Sequence, residues 1–185
     1  PQTSSSDEPV LMAVSFDNKI LAARGEKIFS SAVTDLGRGA SNAIAQGTAM
    51  TGSGTITVKS TTGFSSSGTI QIDSEQFTYT GVTSTTFTGV TRAANSTSAA
   101  AHTATSDSSR TVVSESWTER DTGRTNAGKY SFERFNFDGN EKIVVVDGVN
   151  DPTVFNSSLS ATDITASSVE GASIVVAFRE HMFYA

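Results

Sequence analysis

Apolar side chains in this chain come in short runs separated by polar turn residues, and many of the runs alternate with a period of two. Such alternation puts one set of side chains on one face, as in a half-buried β-strand. Val10 to Phe16 is an apolar run, Asp17-Asn18 is a tight-turn signal, and Lys19 to Arg24 returns. Arg24-Gly25-Glu26 turns again into Lys27 to Val33, which predicts a meander of three strands. Further on, Ile56 and Val58 share a face, as do Ile70 and Ile72, then Phe77 and Tyr79, with Phe87 and Val90 following. Thr fills the opposite face, and Gly63, Gly68, Gly81 and Gly89 punctuate turns. This segment predicts about five short strands in a small β-sandwich or barrel. From Ser108 a strand holds Val112, Val113 and Trp117. Tyr130, Phe132, Phe135 and Phe137 then enter a hairpin, with a bulge predicted between Phe132 and Phe135. Asp138-Gly139-Asn140 makes its turn and Lys142 to Asp147 returns; Asp147-Gly148 turns into the next strand. Ser157 to Gly171 reads as loop, and Ala172 to Ala185 as the last strands with His181 in a turn.

The resulting organisation has five parts: an N-terminal arm (1–9), first strands (10–34), a Gly-rich linker (35–54), an inserted small β module (55–107) and continuing strands (108–185). Ser41 could cap one helical turn over residues 41–46. The outer parts repeat themselves. Phe16-Asp-Asn-Lys-Ile resembles Phe137-Asp-Gly-Asn-Glu-Lys-Ile, and four residues separate the Ile from a Gly in both. Phe178 also precedes a polar turn, 41 residues after Phe137 (178 − 137). A spacing near 40 to 45 residues with several strands per unit is the signature of β-propeller blades. The fold class read here is therefore all-β: propeller-like antiparallel blades with an inserted module. On this reading Phe16 and Phe137 occupy equivalent, buried positions just before their turns. Two blades and a part of a third cannot close a ring, so the expectation is a piece of a longer protein, or several subunits.

Chemistry is sparse. The chain has 185 residues, a net charge of −6, no Cys and two His. The absence of Cys excludes disulfides and thiolate metal sites. No Lys/Arg cluster offers a grip on nucleic acid: Arg120 and Arg124 alternate with Glu119 and Asp121. No run approaches a membrane span in length. The Gly-rich linker lacks the Lys-Ser/Thr ending of a phosphate loop. His102 and His181 stand apart from carboxylates in sequence and read as loop or turn residues. Asp73 and Glu75 lie two apart, on one face, and read as a solvated edge rather than a catalytic pair. Asp147 and Asp151 read as turn formers, and the sequons at Asn95 and Asn156 as chance matches in a Ser/Thr-rich chain. No residue is assigned a catalytic, cofactor-binding or metal-binding role, and no enzyme activity is expected.

Two stretches carry a resemblance. Gly68-Thr-Ile-Gln-Ile, Glu75-Gln-Phe-Thr-Tyr-Thr-Gly81, Phe87-Thr-Gly-Val-Thr-Arg92 and Ala99-Ala-Ala-His102 are similar to a small β module found in structural proteins of tailed phages. Tyr130 to Asn156 and Gly171 to Ala185, with Lys19 to Ser31 in the same style, resemble the propeller region of the tail-nozzle family (tail tubular protein B) of short-tailed phages. The resemblance implies a virion protein of the phage tail, in a homo-oligomeric ring of six. It implies adaptor and fibre proteins as partners, and a channel that passes DNA without sequence-specific binding. Other readings are a different minor virion protein (decoration, hub or fibre) and a carbohydrate-binding tailspike domain.

Overall fold

The computed structural model describes residues 8–37, 44–45, 51–104 and 110–185. The expected arm (1–9) and the helical turn at 41–46 lie almost wholly outside them. The described chain is all-β and antiparallel, apart from one short 3-10 turn. It divides into two compact units: Ser31–Trp117, and a second made of the flanking stretches up to Ser30 and from Thr118.

The second unit contains three successive antiparallel layers. The first holds β1 (Val10–Phe16), β2 (Lys19–Arg24), the start of β3 (Lys27–Asp35) and β10 (Thr118–Asp121), in the order β1-β2-β3-β10. Phe16 pairs with Lys19 across a two-residue turn in which Asp17 and Asn18 both take positive φ, the turn whose twist matches that of the strands. The next layer is a four-stranded meander, β11 (Ser131–Phe135), β12 (Lys142–Val146), β13 (Thr153–Phe155) and β14 (Ala161–Asp163). The last is the hairpin of β15 (Val175–Phe178) and β16 (His181–Tyr184).

Side-chain alternation explains how the layers pack. Met12, Val14, Phe16, Leu21 and Ala23 point from the first layer onto Ile143, Val145 and Phe155 of the second. Val144 and Val146, on the other face of β12, meet Val175 and Ala172, with Phe135, Met182 and Tyr184 at the margin. Ile143 to Val146 are therefore all buried, which is why this strand reads as an unbroken apolar run. Each fully buried aliphatic side chain here contributes about 1.5–3 kcal/mol.

The expected equivalence of Phe16 and Phe137 does not hold. Phe16 is buried at the end of β1, whereas Phe137 lies beyond β11, in the turn, and is 38% exposed. The two hairpins differ in loop length: Phe16 faces Lys19 across two residues, but in the second hairpin Phe135 faces Lys142 across six. Phe135, not Phe137, thus holds the position in its hairpin that Phe16 holds in the first. The bulge expected between Phe132 and Phe135 is absent too, since pairing runs without a shift from Ser131↔Val146 to Phe135↔Lys142. β14 lies inside the stretch read as loop. Trp117 is exposed between strands rather than within one. His181 starts β16, the turn being Arg179-Glu180.

The first unit carries β4 (Thr51–Thr57), β5 (Gly68–Ile72), β6 (Glu75–Tyr79), β7 (Gly81–Val82), β8 (Thr86–Thr91) and β9 (Thr111–Ser114), with the end of β3 paired to β9. The order is β3-β9-β5-β6-β8-β4, with β7 beside β8. β4 begins inside the stretch read as linker. β9 joins this unit rather than the strands that follow it. The core holds Ile56, Val58, Ile70, Ile72, Phe77, Tyr79, Phe87, Val90 and Val112. Tyr79 and Phe64 rings lie 4.8 and 5.0 Å from Phe87, and the Tyr79 hydroxyl donates to the Ser65 carbonyl.

Candidate functional site

The segment from Thr55 to Ala104 contains four charged residues, Lys59, Asp73, Glu75 and Arg92, beside His102. Two of the four are buried together with the histidine. Glu75 opens β6 and its side chain is fully buried. Arg92 follows β8 and meets it side-on, with Nε 2.8 Å from Oε1 and Nη2 2.7 Å from Oε2. The same carboxylate accepts from the backbone N–H of Ala93 (3.0 Å) and of Ala100 (2.9 Å), and lies 2.8 Å from His102 Nε2. His102 Nδ1 is 2.9 Å from Asp73 Oδ2, so the ring spans two carboxylates. The Phe77 ring covers this group, 5.6 Å from both the Arg92 guanidinium and the His102 ring.

Local structure follows from these contacts. Ala93, Asn95 and Ser96 take positive φ around the turn Ala94–Ser96, which curls the chain so that Ala93 and Ala100 both aim at Glu75. Arg92 also donates to the carbonyls of Ala45 and Ala100, and His102 pairs with Ile44 through backbone bonds of 2.8 Å in each direction. One carboxylate therefore pins two irregular segments onto β6. Burial alone would raise the Glu75 pKa; the Arg92 fork, the two backbone N–H groups and His102 overcome it and hold the carboxyl at about 2. Four N–H donors from Arg92, Ala93 and Ala100, with His102 against them, take up the lone pairs of an ionised carboxylate, so its chemistry here is to anchor.

This geometry corrects one sequence expectation and sharpens another. Glu75 is not part of a solvated edge, and His102, which lies outside the strands as expected, is fully buried against two carboxylates. Asp73 sits in the β5–β6 turn at φ 53 and keeps a partly exposed side chain. With Gln71, Arg110, Thr111 and Val113 it lines a shallow cleft of about 340 Å³, where Arg110 Nη1 lies 3.4 Å from Asp73 Oδ1. Arg92 ends one of the stretches that carry the module resemblance, but no partner for it is evident in the sequence. The signal was its rarity: a single Arg in a nearly chargeless segment finds the Glu beside it.

The second unit has its own buried ion cluster. Arg124, between β10 and β11, donates to Asp121 (2.6 Å), Thr153 (2.7 Å) and Asp147 (2.7 Å), and its guanidinium lies 5.7 Å from the Tyr130 ring centre. The cluster ties the first layer to the second. Asp147 Oδ1 also accepts from the N–H groups of Val149 and Asn150, so the turn role read from sequence is present alongside the ion pair. Burial opposes the charged Asp147, but the Asn150 and Arg124 donors prevail and lower its pKa. Burial likewise opposes the Arg124 charge, and Asp147 and Asp121 raise its pKa on balance. His181 is exposed at the start of β16, opposite Phe178, and belongs to neither cluster. Both clusters are placed to hold the fold. Comparison with protein-family models, curated proteins and solved structures finds no match to the chain.

Proposed function

We propose that this chain is a structural protein of a tailed-phage virion, with its second unit a run of propeller-type blades like those of the tail nozzle and its first unit an inserted β module. One observation carries the reading: the first strand of each layer ends in a phenylalanine, and in the first two layers that ring faces the layer that follows. Phe16 faces the second layer, Phe135 faces the third, and Phe178 holds the same place on the third. Phe135 and Phe178 are 43 residues apart (178 − 135), within the spacing of blade repeats. The first and second layers bury facing residues against each other, and so do the second and third, as successive blades do.

Two further points support it. Three of the four stretches that carry the module resemblance each supply one residue of the buried clasp, Glu75, Arg92 and His102, which suits a folding signature of a scaffold. A net charge of −6 suits a channel wall along which DNA passes without adhering. The protein then works as a homo-oligomeric ring, of six copies on the nozzle pattern, between adaptor and fibre proteins. The test is to localise the chain in purified phage particles by labelling and to determine the symmetry of its density. A ring at the tail supports the proposal. A monomer that binds a glycan array or releases reducing sugar supports the tailspike reading instead.

A further inference from the structure

The His102 ring is fully buried, and each of its nitrogens meets a carboxylate: Nε2 lies 2.8 Å from Glu75 Oε2, and Nδ1 lies 2.9 Å from Asp73 Oδ2. An ionised carboxylate only accepts hydrogen bonds, whereas a neutral imidazole has one nitrogen that donates and one that accepts. Glu75 is ionised, its carboxyl held at about 2, so the nitrogen that faces it carries a proton. Asp73 is 43% exposed, and its other oxygen faces Arg110 Nη1 at 3.4 Å, surroundings that favour a carboxylate over a carboxylic acid. A neutral ring with its proton on Nε2 would set a bare lone pair against Asp73 Oδ2. The other tautomer would set one against the buried Glu75.

The neighbouring charges point the same way. Arg110, Asp73, His102, Glu75 and Arg92 are linked in that order. With the ring charged, cations and anions alternate along the whole row. With the ring neutral, two carboxylates face a group that has no charge to offer them. Among the described residues, the other groups against His102 bring no charge: Phe77 presents its ring at 5.6 Å, and Ile44 its backbone. Asp73 and Ser74 form the two-residue turn between β5 and β6, since Ile72 pairs with Glu75. The contact at Nδ1 therefore ties that turn to the segment carrying His102.

We infer that His102 is held as an imidazolium, and that its Nδ1 proton is a pH-sensitive latch between the β5–β6 turn and the His102 segment. Removing the proton brings two acceptors together at 2.9 Å, and the Asp73 side chain, already partly exposed, turns away into solvent. The latch does not depend on which assembly holds the chain.

Nitrogen NMR of the uniformly labelled whole chain tests this. His181→Gln removes the second histidine and so assigns the ring signals. At about pH 7.5, where most free imidazole is neutral, both His102 nitrogens should carry a proton. Asp73→Asn keeps a residue suited to the φ of 53 at this turn, and its amide can donate to Nδ1. In that variant the ring should be neutral at the same pH, with its proton on Nε2. When alkali removes the wild-type proton, the backbone amide signals of Asp73 and Ser74 should shift with the same midpoint as the ring. A wild-type ring with a bare Nδ1 at about pH 7.5 overturns the inference, as does an Asp73→Asn ring that keeps both protons. Turn amides that ignore the titration of the ring overturn the latch.

Discussion

Arg92 grips Glu75 side-on, through Nε and Nη2 at 2.8 and 2.7 Å, at a carboxylate from which water is excluded. That geometry is the strongest form of ion pair available to these groups. The pair joins β6 to the end of β8 and, through Ala100 and His102, to the segment that follows.

Removing one partner should cost more than removing an ordinary surface charge. Glu75→Ala strands the Arg92 guanidinium in the interior and is expected to destabilise the first unit by about 3–5 kcal/mol. Urea unfolding monitored by circular dichroism measures this. Lys59→Ala, at an exposed pair with Asp35, should change stability by less than about 1 kcal/mol and serves as the control.

Acid should loosen the same unit. The folded Glu75 carboxyl sits at about 2 against 4.5 unperturbed, so its contribution is complete above 4.5 and is lost as pH falls from there towards 2. The shift corresponds to about 3 kcal/mol. Stability measured against pH should fall in this window for wild type, and Glu75→Gln should flatten that part of the curve.

The phenylalanines should separate by their surroundings. Phe16→Ala removes a buried ring and is expected to cost about 3–5 kcal/mol. Phe137→Ala, in the turn, should cost less than about 1 kcal/mol. Equal losses at the two positions would contradict the register that pairs Phe135, rather than Phe137, with the returning strand.

Arg124→Met should destabilise the second unit by about 3–5 kcal/mol, because Asp147 would remain buried without its cation. Arg124→Lys should recover only part of this, since an ammonium cannot reproduce the planar fork that reaches Asp121, Thr153 and Asp147 together. Chemical denaturation of the three proteins gives the order.

The Arg179-Glu180 turn has both residues at positive φ, which favours Gly, Asn and Asp and strains longer side chains such as these. Glu180→Gly should therefore stabilise the chain by about 1 kcal/mol. A rise in melting temperature checks it.

Much of the fold was legible because period-two alternation records which face of a strand is buried. Ile70 and Ile72, or Phe77 and Tyr79, point inward as their spacing implies. The failures have physical causes. Phe137 repeats the Phe-Asp of the first hairpin, but sequence similarity does not reveal that one loop holds two residues and the other six. Gly52 and Gly54 look like linker, yet they lie in β4: Gly54 pairs with Val90 of β8, and Gly52, at φ 82, sits in the bulge between Thr51 and Gly54. His102 and Glu75 are 27 residues apart, and only the turn after Arg92 brings them together. The Asp147–Arg124 pair was hidden likewise, because a turn-forming Asp looks the same whether or not a cation lies beneath it.

Cryo-electron microscopy of purified tails containing this chain tests most directly whether the layers of the second unit belong to a ring-forming scaffold of the phage tail. Successive antiparallel layers in rotational symmetry around a channel are expected. Density without ring symmetry would contradict that scaffold role.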